Sequence, residues 1–181
     1  MEQKNNNVDE DLSELTPLPS AKLLLATAQK ENDYEIDRKK TFETRSGIFI
    51  GFSGVLFTLL SRVMDFDIFK NVQPTKFISY ALLFGIFFLL PLILLIISVY
   101  CFLHVIIVKK YTRFDLTGFD SDSAALTEEQ SAFYLMEKYR DVVNINSKVN
   151  DTKSIFFLIG VLCIGCSALL ISSMYIISYM N

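Results

Sequence analysis

Cys163 and Cys166 stand in a C-x-x-C arrangement, and Cys101 is the third cysteine of the chain. A redox dithiol needs a thiolate favoured by a helix N-terminus or a nearby cation, together with access to solvent. The pair lies instead in the apolar run FFLIGVLCIGCSALL, which supplies neither. Gly160, Cys163, Gly165, Cys166, Ser167 and Ala168 read as small residues that let a helix pack closely in lipid. His104 is the only histidine. It cannot build a zinc site alone, and no cysteine or carboxylate stands at ligand spacing from it. Near the end of an apolar segment it is either a proton-sensing or gating group, or a neutral imidazole bonded to backbone or water. Asp115, Asp120 and Asp122 around Gly118 lack the spacing and closing Glu of a calcium loop, so they read as solvated linker. Phosphate-binding, dinucleotide, nucleophile-elbow and metalloprotease signatures are missing from the sequence. The expectation is a protein that is not an enzyme and uses no cofactor or metal.

The elements that position these residues follow from composition. The 181 residues are 51% hydrophobic and 20% charged, with 16 Phe, 8 Tyr and no Trp, and the mean hydropathy is +0.37. That is too apolar for an ordinary soluble domain and excludes a wholly disordered chain. Three segments are long and apolar enough to span a bilayer: residues 46–64, 77–108 and 154–180. The second carries no formal charge and would exceed the hydrocarbon thickness as one straight helix. Pro91 removes a helix hydrogen bond and crowds the preceding turn, so a kink near residues 87–91 is expected and Pro91 is a candidate hinge. Tyr175 and Tyr179 suit an interfacial aromatic belt.

The remaining segments are polar. Residues 1–19 are acidic and Asn-rich and read as a disordered tail, unlike a cleavable signal, so insertion is expected to use the internal spans. Residues 20–45 contain no Gly or Pro and mix acids with bases at helical spacing, which predicts a helix. Residues 65–76 form a short external loop and 109–126 a polar linker. Thr127-Glu128-Glu129-Gln130 is a capping-box pattern that opens a second polar helix over 127–153. Its Phe133, Met136, Tyr139 and Val143 share one face, for which Leu24, Ala28, Tyr34 and Ile36 are the expected partners. The segment before the first span and the segment between the second and third each hold seven Lys or Arg. The positive-inside bias then puts the N-terminus in the cytoplasm and the C-terminus outside. The fold class is an all-α membrane protein with three transmembrane helices and two long juxtamembrane cytoplasmic helices.

Three sets of residues could carry function without catalysis. Gly47, Gly51, Gly54, Thr58 and Ser61 recur at steps of 4, 3, 4 and 3 in the first span, which makes a close-approach stripe. Such a stripe packs against the other spans of the same chain, or serves as an association seam or pore lining between copies. Arg38, Lys39, Lys40 and Arg45, with Arg140 and Lys148, form basic clusters that attract anionic lipid or hold an anionic messenger between the two polar helices. Asn144, Asn146 and Asn150 are costly in a bundle unless bonded, so Asn146 and Asn150, with Tyr139, are candidates for fixing register.

The run Asp37-Arg38-Lys39-Lys40 through Arg45-Ser46-Gly47 into IFIGFSGVLFTLL, with MEKYRDVVNINSKVNDTK leading into the last span, resembles the small membrane effectors of bacterial anti-phage defence. These are the Pycsar-type transmembrane effectors and the related SLATT proteins. The resemblance matches Tyr139, Asn144 or Asn146, Asn150 and Lys153 to the polar positions of a helix that leads into a late span. It departs from the family in having no separate nucleotide-binding domain. It implies an effector that homo-oligomerises in the inner membrane of an infected cell and disrupts or depolarises it, acting as a pore-forming toxin. Its partners would be the bilayer and a nucleotide second messenger or a protein encoded nearby, with no nucleic acid. The competing class is a non-catalytic accessory or scaffold subunit of a larger membrane complex.

Overall fold

The computed structural model describes residues 18–63, 77–107, 111–115 and 125–180. Most of the expected tail, the loop 65–76 and much of the linker 109–126, including Gly118, Asp120 and Asp122, lie outside the described residues. Helix α1 spans Ala21–Val63. The second apolar segment comprises α2 (Phe77–Phe84), a π-helical turn (Gly85–Leu89) and α3 (Leu90–Ile106). Helix α4 spans Glu128–Met180. No strand occurs among the described residues, and three helices are long and apolar enough to cross a membrane.

The polar helices expected before the first and third spans are not separate elements. They are the leading halves of α1 and α4, which at 43 and 53 residues would reach about 64 and 80 Å against a hydrocarbon core of roughly 30 Å. Nothing in the sequence breaks either helix at the polar-to-apolar transition. Arg45-Ser46-Gly47 continues with helical geometry because a glycine inside a spanning helix costs little when the backbone has no water to bond instead.

The described residues fall into two compact units. The first contains the chain up to Glu35 together with Thr112–Asn146. Within it the capping box closes in both directions: Thr127 N–H donates to Gln130 Oε1 at 3.1 Å, and Gln130 N–H to Thr127 Oγ1 at 3.4 Å. The acids of that first turn also hold the start of α1, with Lys22 paired to Glu128 at 2.9 Å and Leu18 N–H donating to Glu129. The inward residues of α1 are Ala21, Leu25, Ala28, Asn32 and Glu35, at steps of 4, 3, 4 and 3. Leu24 and Tyr34, expected on that face, are exposed, and Leu25 and Asn32 take the inward positions. Phe133, Met136, Tyr139 and Val143 are half-buried on one face of α4 as expected.

The second unit contains Ile36–Tyr111 and the chain from Ser147 onward. Its three helices meet along seams with one spacing rule. Ser46, Phe49, Ser53, Leu56 and Leu60 line the inner face of α1, and Pro91, Leu95, Ser98, Phe102 and Val105 that of α3. On α4 the inner residues are Asn150, Lys153, Phe157, Gly160, Ile164, Ser167 and Ile171. Each seam alternates steps of 3 and 4, the period of about 3.5 that lets helices stay in contact by supercoiling. Contacts fix the directions. Glu43 meets Lys153, Phe49 meets Phe157 and Leu59 meets Tyr175, so α1 and α4 run parallel. Phe102 meets Phe157, Ser98 meets Gly160 and Pro91 meets Ser167, so α3 runs against both.

At the centre Phe102 is fully buried. Its ring stacks on Phe49 at 5.2 Å and lies edge-on to Phe157 at 5.8 Å. The third wall is Gly160, where an added Cβ would come within 2.8 Å of the Phe102 ring. The ring is wedged on three sides and cannot yield. Gly160→Ala should therefore destabilise the bundle by about 1–3 kcal/mol, the usual cost of overpacking. Gly165→Ala, where a Cβ meets nothing within 4 Å, should be neutral or slightly stabilising. Thermal or denaturant unfolding of the two variants in the same detergent tests this, and equal stabilities would contradict the packing described.

Candidate functional site

The glycine stripe does not pack against the other spans. Gly47, Gly51 and Gly54 are exposed, and a Cβ built on any of them meets nothing within 4 Å. Thr58 and Ser61 are exposed on the same outward side. Their hydroxyls bond within their own helix, Thr58 to Gly54 O at 3.0 Å and Ser61 to Phe57 O at 2.9 Å. Of the two alternatives drawn from the sequence, packing within the chain does not occur among the described residues. The small residues that do bring the spans together are Ser46, Ser53, Ser98, Ser167 and Gly160. Ser53 stands seven residues after Ser46 on the same buried face, and that step of two helical turns is the seam's signal in the sequence.

The interior seam is tied by hydroxyls that cross between helices. Ser98 Oγ donates to Gly160 O at 3.0 Å and Ser167 Oγ to Pro91 O at 3.2 Å. In lipid a buried hydroxyl has no water to turn to, so such bonds fix which faces meet. The expected weakness at Pro91 takes the form of the π-helical turn over Gly85–Leu89 that precedes it. Proline cannot donate to the carbonyl four residues back, and widening the turn is one way a helix absorbs that loss. No residue of the π turn is buried, whereas Pro91 itself is. Phe88 of the turn nevertheless packs against the core cluster, and Pro91 is the first fully buried position of the second span among the described residues.

A charged layer sits below the aromatic one. Lys153 Nζ lies 2.7 Å from Glu43 Oε1, and the Lys153 side chain is 4% exposed. Arg38 pairs with Asp151 at 2.8 Å, and its guanidinium lies 5.8 Å from the centre of the Phe42 ring. Lys39 Nζ lies 4.6 Å from the centre of the Tyr111 ring. Asn150 is fully buried one turn from Lys153, and Ser46, also fully buried, is one turn from Glu43. This separates the candidate trigger residues into classes. Arg38 and Lys39 are engaged inside the second unit, and Lys40 is near Asp37 on its own helix. Arg45 and Lys148 are exposed. Arg140, in the first unit, is near Glu137 and Asp141 of its own helix. The full cluster is therefore not a set of free cations gathered on one surface. Lys153, matched to the family pattern by resemblance, is the most deeply buried charge among the described residues, a role its spacing did not reveal.

The candidate register residues divide similarly. Asn146 is 1% exposed, and its carboxamide bonds both backbone groups of Thr112: Thr112 N–H donates to Oδ1, and Nδ2 donates to Thr112 O, each at 3.0 Å. Tyr139 stacks on Phe114, with ring centres 4.7 Å apart. Neither holds one helix to another, since both hold the non-helical segment 112–115. Asn144 is exposed.

Cys101 is buried, Cys163 half-buried and Cys166 exposed, all as free thiols. The His104 ring stacks on Phe156 at 3.9 Å, and its Nδ1 is buried with no hydrogen-bond partner among the described residues. No group of three His, Cys, Asp or Glu among the described residues is arranged to hold a metal. Comparison of the chain with family models, with curated proteins and with solved structures gives no match.

Breaking a buried pair is costlier than never having it, because the orphaned charge stays desolvated. Glu43→Ala should therefore destabilise the bundle by about 2–4 kcal/mol, toward the lower end since Glu43 is partly exposed. The double variant Glu43→Ala/Lys153→Met should recover most of that loss. A double-mutant cycle by denaturant unfolding in detergent measures the coupling; additive losses would show that the pair does not interact.

Proposed function

We propose that the protein is a membrane effector of bacterial anti-phage defence, oriented with its N-terminus in the cytoplasm and its C-terminus outside the inner membrane. Copies associate through the first span and perturb the bilayer on infection, halting growth of the infected cell or killing it. The observation that carries this reading is the open glycine face of α1, where Gly47, Gly51 and Gly54 have free space beyond them. Glycine lowers helix propensity, and three within eight residues of a span that packs its opposite face need an external reason. A second helix brought against that stripe supplies one.

The charged layer supports a trigger near the membrane surface. A signal that rearranges Glu43, Lys153, Arg38 and Asp151 changes how α1 rests on α4, and with it the presentation of the stripe. Arg45 and Lys148 remain outward and suit anionic headgroups, each attraction being worth roughly 1 kcal/mol. A nucleotide messenger or a protein encoded nearby is the proposed source of the signal. A second reading, the accessory subunit, is favoured by apolar side chains exposed outside the apolar spans. Leu23 is 71% and Tyr34 62% exposed on the polar half of α1, a surface suited to a protein partner.

Gly51→Leu/Gly54→Leu should leave expression and insertion intact, because none of the described residues occupies that space. Membrane depolarisation on induction, followed with a potential-sensitive dye in a bacterial host, should fall at least tenfold. Undiminished depolarisation in the double variant would overturn the seam mechanism. An inert wild-type chain that co-purifies in fixed ratio with a neighbouring gene product would favour the accessory subunit.

A further inference from the structure

Thr112 is held by both of its backbone groups. The Asn146 carboxamide presents one acceptor and one donor, and it engages the N–H and the C=O of the same residue, both at 3.0 Å. That is the pairing one residue of a β-strand offers its neighbour, supplied here by a side chain on a helix. Two residues on, the Phe114 ring lies nearly parallel to Tyr139 at 4.7 Å. Arg113 between them is exposed. Recognition is divided as in extended-peptide binding: the backbone of one residue is read without regard to its side chain, and one aromatic ring takes the side chain two places on. Asn146 is almost wholly buried beneath the segment.

We infer that the face of α4 carrying Tyr139 and Asn146 is a docking site for an extended peptide with an aromatic residue two places after the one whose backbone is bonded, occupied in this chain by its own segment 112–115. The resident segment acts as a latch. Its release frees the same face for an incoming peptide of that chemistry on a partner protein. The seated segment is itself the argument for the occupant, since it displays both halves of the required match. The site lies entirely within the first unit, and the inference stands whether or not the proposed effector function does.

The test uses the full-length protein in nanodiscs. Hydrogen exchange at the Thr112 amide should accelerate at least tenfold in Asn146→Ala, while Asn144→Ala, a change at an exposed position two residues away, should leave it unaltered. A fluorescent peptide of residues 110–117, KYTRFDLT, should bind the latch-weakened variant Phe114→Ala at least tenfold more tightly than the wild-type chain. It should lose that gain in Phe114→Ala/Asn146→Ala. Thr112→Pro, which removes the donor from the segment and leaves α4 untouched, provides a second latch-weakened chain should Phe114→Ala fold poorly. Unchanged exchange in Asn146→Ala, or peptide binding that is absent from or indifferent to Asn146 in both weakened chains, would overturn the inference.

Discussion

Phe102 can be buried completely only because residue 160 has no side chain. Helices in lipid gain nothing from burying apolar surface against one another, since the surrounding tails are as apolar as the partner. What holds them is close contact, and close contact needs somewhere for a large ring to go. With Phe102 seated against Gly160 between Phe49 and Phe157, the axial position of α3 on α4 is set. Ser98 then meets the Gly160 carbonyl and Ser167 the Pro91 carbonyl, each fixed by a step of seven along its own helix. The direction and register of the bundle follow from that one fit.

The buried ion pair is consistent with this view. Lys153 lies one turn before Phe157 on the same seam and Glu43 one turn before Ser46, so the spacing that carries the apolar core through the spans continues into charged residues at their polar end. A pair of this kind adds little net stability over an apolar substitute, but it strongly penalises any arrangement that leaves one partner alone. Slipping α1 by one heptad against α4 would set Lys153 against Ile36 or Ile50 in place of Glu43. The aromatic fit thus governs α3 on α4, and the ion pair discriminates among positions of α1.

Much of this was legible in the sequence, and the misses share a cause. The apolar lengths gave three spans, Thr127-x-x-Gln130 gave the start of α4, and Pro91 gave the irregular turn. Each signal is local and needs no partner to interpret. Small residues mark contact within the chain only where they share the period of the apolar positions, and along α1 the serines do so while the glycines do not. Ser46 and Ser53 lie on the seam, while Gly47, Gly51 and Gly54 face out. A count of the 3.5-residue period over all apolar and hydroxyl positions separates the two faces. The roles of Asn146 and Tyr139 were beyond such a count. Both hold the non-helical segment 112–115, which is 34 residues from Asn146 in the chain, a long-range contact that no helical periodicity encodes.

The outward face of α1 has a chemical limit that bears on what can join it. In span interfaces, hydroxyls strengthen association by bonding across the contact. Here Thr58 and Ser61 donate to Gly54 and Phe57 of their own helix, so neither donor points outward. Whatever approaches Gly47, Gly51 and Gly54 meets a surface of backbone and methyl groups, with Ile48 and Val55 exposed beside it. Attraction there comes from dispersion summed over many close contacts, each worth about 0.1–0.2 kcal/mol. It therefore falls away steeply with any side chain that holds the backbones apart. An association of that kind is sensitive to shape and tolerant of partner chemistry, and it can be governed from a distance by whatever sets the tilt of α1.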